Sequence, residues 1–409
     1  MISNGSKRFV MKLFARHYTE APLDMPERFA RREFGFMFFD RTFMMRHMAF
    51  PSRAALKKYL VEQTPSHAYY STAYYEKPDA PTMPEKSWLG ADLLFDLDAD
   101  HVEGAKGLSY EQMLERVKQE VKRLIDEFLN GDLGFDENDL KIVFSGGRGY
   151  HVHINSQKVL KLTSHERREI VDYVTGTGLD LDWVFPRSAF EQSRFKDRPG
   201  VSHRRDMPTR ADGGWKRRMR KGIEEILAEL EEMPEEDAKR FVSEILAASK
   251  RDIGPKTIGG LYEDLFVKNK GRSGADRMRD EDAFEVFSEK RNSDAFLELV
   301  DLKVKGMVKG ETDEPVTSDV RRLIRLPSSL HGKTGFEVVP MTREKLDGFD
   351  PFKDAVPRAF GEEEVGVSLE APASVTLRGV GFDLDAGPTR VPSYVAVHLI
   401  CRNLASLDN

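Results

Sequence analysis

The sequence predicts an α/β (α+β) fold, a sheet with helices on one face, interrupted by a helical insertion. Three observations predict it. Between Ala91 and Tyr173, apolar runs and helical periodicities follow in the order strand, helix, strand, strand, helix. From Trp215 to about Ser249, two charged amphipathic stretches separated at Met233-Pro234 break that alternation. Strand-like runs then resume near Val320–Leu326 and Phe336–Pro340.

Taken in order, FGFMFFDRTFMMRHMAF (Phe34–Phe50) holds two apolar runs split at Asp40-Arg41, which predicts a hairpin. Arg53–Gln63 reads as a helix, and Thr64–Trp88, rich in Tyr, Pro, Ser and Thr, as a long irregular connection. In GADLLFDLDADH, Leu93, Leu94, Phe95 and Leu97 supply a buried strand, from whose end Asp96 and Asp98 emerge on one side, with Asp100 beyond. Ser109 with Gln112 is a capping-box pattern, and Tyr110, Met113, Leu114, Val117, Val121, Leu124, Ile125 and Phe128 follow at helical spacing. LKIVFSGG and GYHVHIN are strands; in the second, Tyr150, Val152 and Ile154 make a core face and His151 and His153 a polar one. A helix follows from about Ser164 to Tyr173, and Asp180-Leu181-Asp182 reads as a strand entry with structural carboxylates. The polar stretch to about Asn292 continues the insertion, and a Pro- and Glu-rich crossing after Asp354 leads to the C-terminal segment. The organisation expected is residues 1–214 as the first part of a core, 215–300 as the helical insertion, and 301–409 as the second part of the core with a C-terminal packing segment.

The 409 residues, 40% hydrophobic, suffice for a real core, and a net charge of -6 implies no acidic or basic partner unless charges segregate. A single cysteine, Cys401, excludes an intramolecular disulfide and a thiolate-rich metal site within the chain, and fits a reducing cytoplasm. MISNGSKRFVMKLFARHY is too broken by charge for a secretory signal, and no apolar run reaches the roughly 18 residues a membrane span needs. A soluble, cytoplasmic protein without membrane attachment is expected.

FDLDA occurs twice, at Phe95–Ala99 and Phe382–Ala386. Close carboxylates repel unless a cation neutralises them, and oxygen ligands of this kind suit Mg²⁺ or Mn²⁺; an exposed strand end would explain either copy equally well. The first copy is distinguished by VFSGGRGYHVHI about fifty residues later, where glycines let backbone N–H groups approach a phosphate and Arg148 can offer a forked contact. A hairpin turn would also explain these glycines. A Ser145/His151 hydrolase pair is excluded by the absence of a Gly-x-Ser-x-Gly elbow. The second copy runs into the turn signal Ala386-Gly387-Pro388 with no phosphate loop after it, so Asp383 and Asp385 are assigned to solvent.

FDLDAD, SGGRGYHVHI and RLIRLPSSLHGKTG, in this order, resemble the three signature motifs of the archaeo-eukaryotic DNA primases, specifically the archaeal small catalytic subunit. The likeness extends to Arg32-Glu33-Phe34-Gly35-Phe36 with Arg46, and to VPSYVAVHLICRNLA. It implies a primase catalytic core with a mixed or antiparallel central sheet flanked by helices. It implies, too, synthesis of short RNA primers on single-stranded DNA from NTPs by two-metal nucleotidyl transfer, releasing pyrophosphate. By position, Asp96, Asp98 and Asp313 match the catalytic metal ligands for two divalent cations, Mg²⁺ or Mn²⁺. Ser145, Arg148, His151, Arg325 and His331 match residues around the nucleotide's phosphates, and Glu33 and Arg46 an N-terminal pair near the same site. Asp319 competes with Asp313, which is favoured by family spacing alone. The implied partner is a large subunit carrying an iron-sulfur cluster on its own chain, in a heterodimer.

Pro186–Gly222 holds twelve Lys or Arg against four acids, with Phe190, Phe195, His203 and Trp215 interleaved. Such a tract suits a template backbone or a triphosphate, and equally a solvated loop. Many relatives carry a Cys/His zinc knuckle after the first motif; the cysteine-free VEGAKGLSYEQMLERVKQEV stands there instead, so no zinc is expected. A repair polymerase of the end-joining type and a non-catalytic nucleic-acid-binding scaffold are the alternatives to a primase.

Overall fold

The structure, a computed structural model, describes residues 3–99, 107–195, 198–308 and 314–408, without side chains for 190–203, 307 and 308. Asp100 and Asp313 lie outside those residues, as do Lys196 and the side chains of Arg194, Arg198, Phe190, Phe195 and His203. The chain divides into two units: Met1–Ile125, Gly134–Val171 and Glu311–Asn409 form the first, and Asp126–Leu133 with Asp172–Gly310 the second.

The first unit opens with α1 (Asn4–Glu20), capped where Ser3 Oγ accepts from Ser6 N, and burying Val10, Leu13, Phe14 and Tyr18. The expected hairpin follows as β1 (Phe34–Met37) and β2 (Met45–Met48), then α2 (Arg53–Gln63). The irregular connection expected after Thr64 is not there. That segment contains β3 (His67–Ser71), β4 (Ala73–Tyr75), α3 (Met83–Lys86) and β5 (Trp88–Ala91). β4 is buried at every position and β3 at four of five, so the period-2 alternation that betrays a half-exposed strand is missing. Next come β6 (Leu93–Asp98), carrying the first FDLDA, and α4 (Tyr110–Arg123), which starts in the full capping box between Ser109 and Gln112. β7 (Leu140–Phe144), β8 (Gly149–Ile154) and α5 (Ser164–Thr175) complete the predicted series. β8 departs from expectation in one respect: its histidine face is buried too, because it lies between β7 and β6 with Tyr70 of β3 covering His153.

The second unit contains α6 (Leu181–Val184), the hairpin of β9 (Arg187–Phe195) and β10 (Arg198–Arg205), and α7 (Gly214–Glu231), α8 (Glu235–Leu246), α9 (Pro255–Phe266), α10 (Gly274–Glu281) and α11 (Lys290–Val308). Pro234 caps α8, as its position suggested, and α7, α8 and α9 pack on α11. Asp180 and Asp182 do not enter a strand. Asp180 caps α6 by accepting from Asp182 N at 2.9 Å, the local hydrogen bond that makes Asp a helix starter, and Asp182 pairs with Arg205 at 2.7 Å. Trp215 is buried with its indole N–H donated to Tyr173 O at 2.7 Å, and Arg218 lies over Phe128 with Asp132 at 2.5 Å.

The chain returns to the first unit with α12 (Glu314–Ser318), β11 (Leu323–Arg325), β12 (Val339–Met341), α13 (Arg343–Gly348) and α14 (Pro351–Asp354). It ends with β13 (Glu364–Leu369), β14 (Ala373–Leu377), β15 (Val380–Leu384), β16 (Gly387–Pro392), α15 (Ser393–Cys401) and β17 (Ala405–Leu407). Two four-stranded sheets, in orders β11-β3-β1-β2 and β12-β7-β8-β6, frame the site, and their neighbouring strands all run antiparallel. The second FDLDA lies in the β14–β15 hairpin with Asp383 and Asp385 exposed, and α15 is buried throughout, as a packing element should be.

Two buried arginines brace the entry to β6. Arg32 donates to the carbonyls of Ser71 and Thr72 at 2.8 Å and to Asp92 at 2.7 Å, while Arg167 donates to the carbonyls of Ala91 and Asp92 at 2.8 and 2.7 Å. Guanidinium groups can be buried here because carbonyls and one carboxylate satisfy their donors.

Candidate active site

The site grows from the β6–β8 ladder, where Asp96 stands opposite His151 and Asp98 opposite Gly149. A Cβ at Gly149 would collide with Leu97 O, so only glycine lets the strand after the Ser145–Gly149 loop come this close to the carboxylates. His151 Nε2 lies 3.6 Å from Asp96 Oδ1, and Arg148 Nε lies 3.8 Å from Asp98 Oδ1. The loop between β7 and β8 closes with Ser145 N donating to Gly149 O at 3.0 Å, and turns at Gly146, whose φ of 75° is left-handed. Gly147 N donates to Ser145 Oγ at 3.3 Å, and Tyr110 of α4 donates its hydroxyl to Gly147 O at 2.5 Å.

The third motif is brought in by β11, which pairs with β3 and sets Arg325 opposite Tyr69. The guanidinium lies 4.7 Å from the Tyr69 ring, and its buried Nη1 makes no hydrogen bond. Burial pulls Arg325 below the ordinary arginine value, with Tyr69 and Asp96 acting against it. His331 rests against His67, ring centroids 4.7 Å apart, and His67 Nδ1 accepts from Gly332 N at 3.2 Å. Thr334 Oγ1 donates to Gly146 O at 2.5 Å, fastening the HGKTG turn to the Ser145–Gly149 loop. Burial, aided by Arg325, depresses all three histidines: His67 to about 2, His151 to about 3, and His331 well below its usual value. All three are neutral near pH 7, so the positive charge here comes from Arg and Lys.

Between the two sheets these residues surround a cavity of about 600 Å³. Of the sequence-predicted site residues, Asp96, Asp98, Ser145, Arg148, His151, Arg325 and His331 line it. Glu33 and Arg46 do not. They bind each other at 3.1 and 3.3 Å, with Lys86 at 3.1 Å and His47 N at 3.0 Å completing the shell of a fully buried carboxylate. Burial raises the Glu33 pKa, but these partners outweigh it and hold it below the usual 4.5. Asp319 is exposed after a helical turn rather than in a strand, and accepts from Arg321 N at 2.8 Å in a turn of its own. The cavity wall also contains Tyr69, Tyr110, Arg322, Lys333 and Arg402, which sequence reasoning did not single out as site residues. Arg322 and Lys333 lie within the quoted third motif, where their charge was a usable signal; Tyr69 and Arg402 lie in segments read as connection and packing.

Among the described residues no three His, Cys, Asp or Glu side chains gather closely enough to hold a metal ion. Asp96 and Asp98 nevertheless fit a hard divalent cation, because both are carboxylates on one strand face, 21% and 34% exposed and open to the cavity. In the second unit, much of the basic tract serves internal bracing. Arg218 is buried against Asp132 and Glu127, Arg220 against Glu224 and Asp282, and Arg205 holds Asp182, whereas Lys216 rides over exposed Trp183 at 5.1 Å.

A family model described as DNA primase small subunit matches residues 95–343. The DNA primase small subunit PriS of Methanocella arvoryzae is 41% identical over 415 residues, covering 100% of both chains. That of Methanothrix thermoacetophila is 41% identical over 414 residues, covering 99% of this chain and 100% of its own. That of Methanosarcina barkeri is 39% identical over 421 residues, covering 99% and 97%.

Proposed function

The chain belongs to the DNA primase small-subunit family, and from that premise we propose that its cavity joins ribonucleotides into short primers on a single-stranded DNA template, releasing pyrophosphate. The observation that carries this reading is the meeting of Asp96 and Asp98 with Arg148, Arg325 and the neutral His331 in one cavity, the carboxylates on one strand and the arginines on two other segments. Phosphoryl chemistry needs carboxylates to hold divalent ions and fixed positive donors around the departing phosphates, and little else from the protein.

In this reading Asp96 and Asp98, with Asp313 as third ligand, hold two divalent cations, Mg²⁺ or Mn²⁺. Such ions, when bound, lower the pKa of the primer 3′-hydroxyl and neutralise charge on the leaving group. The neutral His151 orients Asp96. The backbone of the Ser145 loop, pinned by Tyr110 and Thr334, presents donors to the phosphates, and Arg148, Arg325 and Lys333 surround them with charge. Arg325 is suited to this because it has an unspent buried donor.

The proposed partners are the template, NTPs and a large subunit that bears an iron-sulfur cluster on its own chain and assists initiation in a heterodimer. The proposed compartment is the cytoplasm. No helix of the described residues is long and apolar enough to cross a membrane. The test is de novo dinucleotide synthesis from NTPs on a poly(dT) template, with and without EDTA. Metal-dependent product supports primase; extension of existing ends alone means a repair polymerase, and no addition at all means a binding scaffold.

A further inference from the structure

The cavity wall holds one cation from a part of the chain that none of the three motifs covers. Arg402 follows α15 at its C-terminal end, where its N–H closes the helix on His398 O at 3.1 Å. Its guanidinium lies over the ring of Tyr110 at 4.8 Å and faces the cavity. Tyr110 is itself fixed, edge-on to Phe352 at 5.3 Å and bonded through its hydroxyl to Gly147 O. The residue that seats Arg402 thus also seats the phosphate loop, and Arg148 and Asp98 lie within Coulombic reach of the same hydroxyl.

Apart from its stacking on Tyr110, Arg402 makes no side-chain bond to a described residue. Its side chain is exposed, α15 is closed by backbone bonds, and it makes no ion pair with any described residue. A cation resting on a ring face keeps its N–H donors for another acceptor. Among the described residues of the wall, Arg148, Arg322, Arg325, Lys333 and Arg402 face two carboxylates, Asp96 and Asp98. With divalent ions on those carboxylates, the surplus is strongly positive and calls for a multiply charged anion.

We propose that Arg402 is a binding residue for the polyphosphate of the nucleotide substrate, held in place for that contact by Tyr110. This rests on the nucleotidyl-transfer reading above and adds to it a phosphate ligand from the C-terminal helix. A triphosphate drawn onto the Gly146–Gly147 backbone meets Arg402 on the Tyr110 side and Arg325 on the β11 side.

The test uses the full-length chain with Mg²⁺, titrated with inorganic tripolyphosphate and assayed for nucleotide addition. Arg402→Met keeps a stem against Tyr110 and removes the charge; Arg402→Lys restores the charge; Arg325→Ala serves as comparison. Tripolyphosphate binding should weaken about tenfold in Arg402→Met and recover most of this in Arg402→Lys, with unchanged melting temperature. The KM for NTP should rise by a similar factor while kcat changes less than about twofold, the pattern of a contact made equally before and during reaction. Equal tripolyphosphate affinity in Arg402→Met and wild type, with Arg325→Ala still impaired, overturns the proposal and leaves the polymerase reading standing. Equal affinity in all three overturns both.

Discussion

Asp98 sits at the end of β6 where Gly149 allows the Ser145–Gly149 loop to approach, and its carboxylate is 34% exposed with Arg148 beside it. Asp98→Ala should therefore lower nucleotide addition by roughly 10³-fold or more while the melting temperature stays within a few degrees, measured by primer synthesis and calorimetry. Asp385, in the other copy of the same pentapeptide, is exposed in the β14–β15 hairpin region. Asp385→Ala should leave activity within about twofold of wild type and stability within about 0.5 kcal/mol; a collapse of activity would mean the wrong copy was chosen. At this scale the sequence was legible where chemistry is spaced along one element, as with Asp96, Asp98 and the Ser145 loop. It was opaque where a residue joins the cavity only through tertiary folding: Tyr69 lay in a segment read as a connection, and Arg402 in one read as packing. Glu33 and Arg46 were legible as partners, but their pairing gave no clue that they would be satisfied by Lys86 and His47 away from the cavity wall.

The helices with clear period or cap signals, α2, α4 and α5, were readable because one face of each is polar, and β1–β2 because Asp40-Arg41 splits two apolar runs. β3 and β4 were not, since burial on both faces erases the alternation and their tyrosines and alanines resemble a linker. Two element-level tests follow from the tight places. Gly149→Ala forces a Cβ against Leu97 O, so β6 and β8 must separate; a loss of about 1–3 kcal/mol in denaturant unfolding is expected, with a larger loss of activity because Asp98 moves. Arg32→Met leaves Asp92 buried without its cation and Glu27 O, Ser71 O, Thr72 O and the Tyr74 hydroxyl without their donor. A cost of about 3–5 kcal/mol is expected, and a variant within 1 kcal/mol of wild type would show that the buried pair adds nothing to stability.

Over the whole molecule, stability should depend on pH through histidines buried in neutral form. His398, inside the first unit, donates from Nδ1 to Thr334 O at 2.8 Å and packs on Phe336, with Arg402 the charge that faces it. Burial first, then Arg402, lowers its pKa from 6.5 to about 3. Below pH 6.5 the unfolded chain takes up a proton that the folded chain refuses, so stability present above that pH is lost as pH falls toward 3. Glu337, raised by burial to about 7, acts oppositely, favouring the fold at low pH and losing that contribution between 4.5 and 7. Between pH 6.5 and 4.5, His398→Phe should lose about 2–3 kcal/mol less stability than wild type in pH-resolved melts, whatever its baseline. The helical insertion was legible at this scale by its charged amphipathic periods, whereas α9 and α10 hid in polar sequence. One pairing reaches across the insertion: β3 ends at Ser71 and its outer neighbour β11 begins at Leu323. On the ribosome, at about 5–20 residues per second, roughly ten to fifty seconds of translation separate the two. Throughout that interval the nascent protein carries an uncapped strand edge, which makes the period of its own synthesis the time at which it is most exposed to misassociation.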